Sequence, residues 1–164
     1  MNPLRGGWVV LMSLLVAMLL AVFHLPESWP DWLGWWRPSW ILLVLFFWVM
    51  ELPERIGLVA SWVLGVLVDA LLSQPLGLNG FLFAATTYIA WRFFERLRMY
   101  SIVQQCGVIF LTILAAEVAR SLVMDLDRNY ALSWTVLFIA LTSALIWPLL
   151  YVFLLRIKLL ARVE

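Results

Sequence analysis

Three ionisable side chains interrupt runs that are otherwise apolar: Asp69, Glu117 and Arg120. Charged groups in such runs are costly unless partnered. Glu117 and Arg120 are three residues apart and share a helix face. An unpaired carboxylate at Asp69 would protonate or cost several kcal/mol. Arg120 is the one cation inside another apolar run, so Asp69 and Arg120 are expected to lie close, directly or through water, with Glu117 beside them. Two chemistries fit: a structural ion network that fixes helix packing, or a polar pocket for a ligand or ion. No catalytic constellation accompanies these groups. The chain has one histidine, His24, and one cysteine, Cys106. It shows no metal-spaced His/Cys cluster, no Gly-rich phosphate loop and no nucleophile elbow. The sequence therefore predicts no catalytic residue, no cofactor and no metal site. His24 reads as a polar anchor at an interface, or as a ligand or proton shuttle. Cys106 reads as a small buried hydrophobe and excludes an intrachain disulfide.

The elements that position these groups follow from composition. Of 164 residues 65% are apolar and 13% charged, and the mean hydropathy is +1.00. A chain of this size has no interior that could hold so much apolar surface, so its solvent is lipid. A net charge of +1 lacks the basic stripe of a nucleic-acid binder. Apolar runs predict six spans at 8–25, 39–50, 56–72, 79–91, 102–124 and 131–155, with a kink at Pro148 in the last. The first is read as an uncleaved span, since no small-x-small cleavage site follows it. The second is short, rising about 18 Å against a core of about 30 Å. It could borrow Leu52, or the bilayer could thin around it. Pro38 suits its first turn, and the tight turn through Pro53 predicts that spans two and three form a helical hairpin.

Basic residues orient the bundle. With the N-terminus inside, eight lie in inner segments (Arg5, Arg55, Arg92, Arg96, Arg98, Arg156, Lys158, Arg162) and two, Arg37 and Arg128, outside. The predicted fold is an all-α integral membrane protein: one transmembrane domain over residues 1–164, six helices, both termini cytoplasmic. Asp69, Glu117 and Arg120 then fall within about 10 Å of the outer boundary. Trp29, Trp32, Trp35, Trp36 and Trp40 cluster in one outer loop, as an interfacial belt or an aromatic cage. The inner segment from Arg92 to Tyr100 mixes arginines with aromatics, as a snorkelling anchor or a docking patch. Gly57, Ser61 and Gly65 recur every four residues, a spacing that lets helix backbones approach closely. The seam they define faces either another helix of the chain or a partner, and Asp69 continues the series.

Spans two and three also carry a family pattern. Arg37-Pro38-Ser39-Trp40 opens an apolar helix, Trp48 stands near its end, and Pro53 lies in the turn. Gly57, Trp62, Gly65-Val66-Leu67-Val68-Asp69 and Leu76-Gly77-Leu78 follow. In order and spacing this resembles the MreD rod-shape-determining family, and Asn79-Gly80 departs from the His-Ala that accompanies the turn there. The resemblance implies a non-enzymatic component of the bacterial cell-elongation complex in the cytoplasmic (inner) membrane. It implies that the protein maintains rod shape and helps organise peptidoglycan synthesis. The implied partners are an MreC-like single-span protein, a RodA-type glycosyltransferase with its penicillin-binding transpeptidase and, indirectly, the actin-like MreB, besides membrane lipids. It also implies a fold similar to the substrate-binding S components of energy-coupling-factor transporters. That similarity supplies an alternative function, a small-solute-binding membrane subunit, which would need an outer cavity around Asp69 and Glu117.

Overall fold

The computed structural model describes residues 7–22, 38–54, 56–128 and 134–161. Among them are six helices and no strand: α1 Gly7–Val22, α2 Trp40–Glu51, α3 Leu58–Leu72, α4 Leu78–Met99, α5 Ile102–Arg128 and α6 Thr135–Leu160. Residues Ile102–Met124 of α5 and the whole of α6 are long and apolar enough to cross a membrane, while α1, α2 and α3 are shorter apolar helices. His24, Arg37, the tryptophans from Trp29 to Trp36 and the basic residues Arg5, Arg55 and Arg162 lie outside the described residues.

The short second helix is the centre of the molecule. Every residue from Ile41 to Glu51 is buried, and α1, α4 and α6 pack around it. Its apolarity on all sides matches burial in protein rather than contact with lipid. A helix sheathed in this way does not have to match the hydrocarbon thickness by itself, which removes the need for a borrowed turn or a thinned bilayer. Trp48 is fully buried, and its indole Nε1 donates to Ser13 Oγ of α1 at 2.7 Å. Phe46 meets Trp147 of α6 edge to face. A buried indole and a half-buried hydroxyl thus pair with each other.

Two local expectations are corrected. Pro38 does not open α2. Ser39 is the N-cap residue, Trp40 begins the helix, and the Pro38 carbonyl accepts from Trp40 N at 2.9 Å. The Ser39 N–H is held by Ser143 Oγ of α6 at 3.0 Å, which fixes where the helix starts. Nor do α2 and α3 form a packed hairpin. The extensive helix pairs are α3 with α4 and α5 with α6. The reason is steric. The sides of α2 are already taken by other helices, whereas α3 meets α4 at a glycine crossing. A Cβ on Gly65 would sit 2.5 Å from the Asn79 carbonyl carbon and the Gly80 Cα, and one on Gly80 would sit 2.9 Å from Val66 Cγ2. Only residues without a Cβ permit that approach.

Helix α4 runs eight residues past Trp91, where its apolar run ends. A helix needs continuous backbone hydrogen bonds, not continuous apolarity, so charge at Arg92 ends the hydrocarbon-suited stretch without ending the helix. Gln105 is buried and ties this end down. Its Nε2 donates to the Leu97 carbonyl at 3.1 Å, and its Oε1 accepts from Trp147 Nε1 at 3.2 Å.

Candidate functional site: a polar network at the α3–α4 turn

Asp69 stands in the last turn of α3 and is fully buried. Its carboxylate is held by the start of α4. Oδ2 accepts from Gly77 N at 2.8 Å, and Oδ1 accepts from Asn79 N at 3.0 Å and from Asn79 Nδ2 at 2.7 Å. The chain makes this possible by reversing within five residues, 73–77. Ser73 adopts left-handed φ 53°, and Gly77 has φ 94°, a conformation that costs glycine little. The first N–H groups of a helix lack intrahelical partners and carry the positive end of its dipole. A carboxylate from the preceding helix satisfies both needs. Asp69 therefore caps α4 from α3 and turns two helices into one unit.

Asn79 carries the network onward. It is 1% exposed, and both of its amide hydrogens are used. Nδ2 also donates to Gln74 Oε1 at 2.7 Å, and Oδ1 accepts from Arg120 Nη2 of α5 at 2.6 Å. The two acceptors on one side and the guanidinium on the other fix which amide atom is oxygen. Arg120 completes the line with Nη1 donating to Glu117 Oε1 at 2.5 Å. Its Nε is buried with no hydrogen-bond partner among the described residues.

The structure thus connects Asp69, Glu117 and Arg120, but not by the expected contact. Asp69 forms no ion pair with Arg120. An amide stands between them, and the charge of Arg120 is matched by Glu117. The physical reason is that α4 crosses between α3 and α5, so the cheapest donors for Asp69 are backbone N–H groups one turn away. Of the predicted seam, Gly65 and Ser61 lie on the α3–α4 crossing. Ser61 Oγ accepts from Thr87 Oγ1 of α4 at 2.8 Å. Gly57 does not take part: it is the exposed N-cap residue of α3, and a Cβ there would meet nothing.

Sequence reasoning missed Asn79, although a polar residue opening an apolar helix two positions after a turn glycine was a usable signal. It also missed a second buried centre at the opposite end of the bundle. Glu51, the last residue of α2, is 8% exposed. Its Oε2 accepts from Lys158 Nζ of α6 at 2.6 Å and from Arg98 Nη2 of α4 at 3.3 Å. A charged residue closing a twelve-residue apolar helix was the visible clue.

Chemically, the α3–α4 network is closed. Asp69, Asn79 and Glu117 are at most 6% exposed, and both oxygens of Asp69 are engaged by the protein itself. Among the described residues no group of His, Cys, Asp and Glu is placed to hold a metal ion. The arrangement fits holding helices in register.

No solved structure matches the chain. Over 157 residues it is 27% identical to the rod shape-determining protein MreD of Haemophilus influenzae, an alignment covering 96% of this chain and 94% of that protein. The profile of the family described as rod shape-determining protein MreD matches residues 4–157. That match takes in α1 to α5 and nearly all of α6, including Asp69, Asn79, Glu117 and Arg120 and, at the other end, Glu51 and Arg98, so the chain belongs to the MreD family of rod shape-determining membrane proteins and is not an enzyme.

Proposed function

We propose that this protein is a membrane-embedded scaffold of the bacterial cell-elongation complex. It spans the cytoplasmic membrane six times as a single domain over residues 1–164, with both termini in the cytoplasm and an S-component-like arrangement of helices. Its rod-shape role is exercised by association: with an MreC-like single-span protein, with a RodA-type glycosyltransferase and its penicillin-binding transpeptidase, and indirectly with MreB. Through these contacts it helps organise peptidoglycan synthesis.

One observation carries the reading. Apart from Arg120 Nε, the buried polar groups inside the bundle are spent on the protein itself, whereas wide apolar faces point outward. Trp8, Leu11, Leu15 and Leu19 of α1 are each more than half exposed. A hollow of about 720 Å³ lies between α1, α2 and α6 and is lined almost wholly by apolar residues such as Val16, Trp40, Val44 and Phe153. Surfaces of this kind suit lipid and neighbouring helices. A solute-binding subunit would instead present open, convergent polar groups, and Asp69 offers none. The partner face lies away from the Ser61–Gly65 seam, because α4 already covers it.

The decisive experiment is purification of the tagged protein from its own membrane in mild detergent, with identification of what accompanies it. Recovery of the single-span partner and the glycosyltransferase is expected; recovery of an energising ATPase pair instead would favour transport. Orientation is read separately by cysteine labelling at Asp127, expected to be accessible from outside, and at Arg96, expected to be accessible only from inside.

A further inference from the structure

Helix α4 carries a lateral strip that no other function absorbs. On the side away from the core, Phe81, Tyr88 and Trp91 are 68%, 55% and 51% exposed, with the smaller Ala84 and Ala85 between the first two. Helical spacing continues the strip into Arg92 and Arg96, which are exposed and form no ion pair among the described residues. Tyr88, Trp91, Arg92, Phe93, Glu95 and Arg96 line a hollow of about 540 Å³. The opposite side of the same helix is fixed, with Leu97 buried and Arg98 on Glu51. The two arginines are therefore presented on a rigid rod, not on a mobile tail.

We propose that Arg92 and Arg96 bind the phosphate of an anionic glycerophospholipid headgroup, with Tyr88 and Trp91 at the headgroup layer and an acyl chain lying along Phe81, Ala84 and Ala85. Three features favour a lipid over a soluble protein. The strip joins apolar and cationic surface without a break, as a lipid does. From Phe81 to Arg92 is about 16 Å of helix, about half the hydrocarbon thickness. Arginine presents a planar fork suited to phosphate oxygens, and indole and phenol rings prefer the depth at which that phosphate lies. Glu95 sits in the same hollow and offsets part of the positive charge, so the net attraction is that of about one basic residue, roughly fivefold in relative affinity.

The site uses α4 as described and does not depend on the elongation-complex reading. Its test in symmetric vesicles also does not depend on which end of α4 is cytoplasmic. The full-length protein is reconstituted in phosphatidylcholine vesicles containing trace spin-labelled phosphatidylglycerol or spin-labelled phosphatidylcholine, and the protein-restricted fraction of each is measured. The native chain should restrict phosphatidylglycerol about fivefold in preference, and the preference should shrink as salt is raised. R92Q/R96Q, which leaves six of the eight inner basic residues, should abolish it. E95Q, a mild exposed change, should increase it and serves if the double variant does not fold. An unchanged preference in both variants overturns the proposal. Loss of the preference on adding inorganic phosphate at matched ionic strength also overturns it, by assigning the arginines to a soluble anion. Loss of a co-purifying soluble protein in R92Q/R96Q, with lipid preference intact, assigns them to a protein partner and overturns it as well.

Discussion

The two buried polar centres hold the bundle by different means. At the α3–α4 turn, Asp69 is satisfied by N–H groups within ten residues of itself, two of them backbone. At the opposite end, Glu51 is satisfied by Arg98 and Lys158, which are 47 and 107 residues away. The first centre is preset by local chain geometry: a left-handed reversal and a helix N-terminus. The second exists only after α2, α4 and α6 have met, and it relies on long flexible side chains, one of them 45% exposed. Local backbone donors cannot move away when the carboxylate is removed, whereas a half-exposed arginine can turn to water. Equal-looking truncations at the two ends should therefore have unequal effects.

Asp69→Ala should be the most damaging change. It strands three donors, two of them on buried Asn79 and one on half-buried Gly77, and it removes the cap that ties α4 to α3. Each buried unsatisfied group costs about 1–3 kcal/mol, so a loss of roughly 3–5 kcal/mol is expected, read as a collapse of monodisperse protein in size-exclusion chromatography. If Asp69 and Arg120 were a simple ion pair, Arg120→Ala would restore part of this. The structure gives the opposite expectation, because Arg120 is already neutralised by Glu117. The double variant should be worse than Asp69→Ala alone. Partial rescue would restore the direct-pair view and erase the distinction between the two ends.

Gly65→Ala comes next. Its methyl would run into the Asn79–Gly80 backbone, which cannot yield as a flexible side chain would. Forced separation of α3 from α4 would also pull Asp69 away from Gly77 and Asn79. A cost of about 1–3 kcal/mol or more is expected, measured as a lower thermal midpoint in detergent. Gly57→Ala, at the exposed N-cap residue of α3, should be close to neutral in the same assay. Glu51→Gln should fall below Asp69→Ala, since the amide keeps the shape and Arg98 reaches solvent. About 1–2 kcal/mol is the expected size, and Lys158→Met should recover part of it by removing the less exposed of the two cations.

How much of this was legible in the sequence divides along the same line. The helices were legible because long apolar runs in a chain of this hydropathy have few alternatives. The unusual character of Asp69, Glu117 and Arg120 was legible because charge inside such a run stands out. The central place of α2 was not, because a helix surrounded by protein and one surrounded by lipid are equally apolar. The true partner of Asp69 was hidden too. A carboxylate seeks donors of any kind, and backbone N–H groups carry no residue code. Gly77 was visible as a family-pattern residue, but its left-handed turn, which aims those donors at Asp69, follows from backbone angles that Ser73 does not advertise. The Glu51 centre needed contacts across most of the chain, and spacing alone does not report them.

Ser73 offers the smallest and most discriminating change. It is the one non-glycine residue with positive φ among the described residues, and such a conformation costs a side-chain-bearing residue of order 1–2 kcal/mol. Its side chain is exposed and has no hydrogen bond among the described residues, so removing it forfeits no contact. Ser73→Gly relieves the strain but gives the unfolded chain more freedom, which returns about 0.5–1 kcal/mol. The net expectation is a gain of a few tenths of a kcal/mol up to about 1 kcal/mol, seen as a small rise in thermal midpoint. The opposite end has no equivalent: Leu52, which caps α2, has φ −136°, and glycine there should only destabilise. A rise at Ser73 with a fall at Leu52 is the signature of one end fixed by backbone geometry and the other by side chains. A fall at both would mean that the Ser73 turn stores no strain, and that the Asp69 cap rather than the left-handed reversal sets the geometry of the α3–α4 unit.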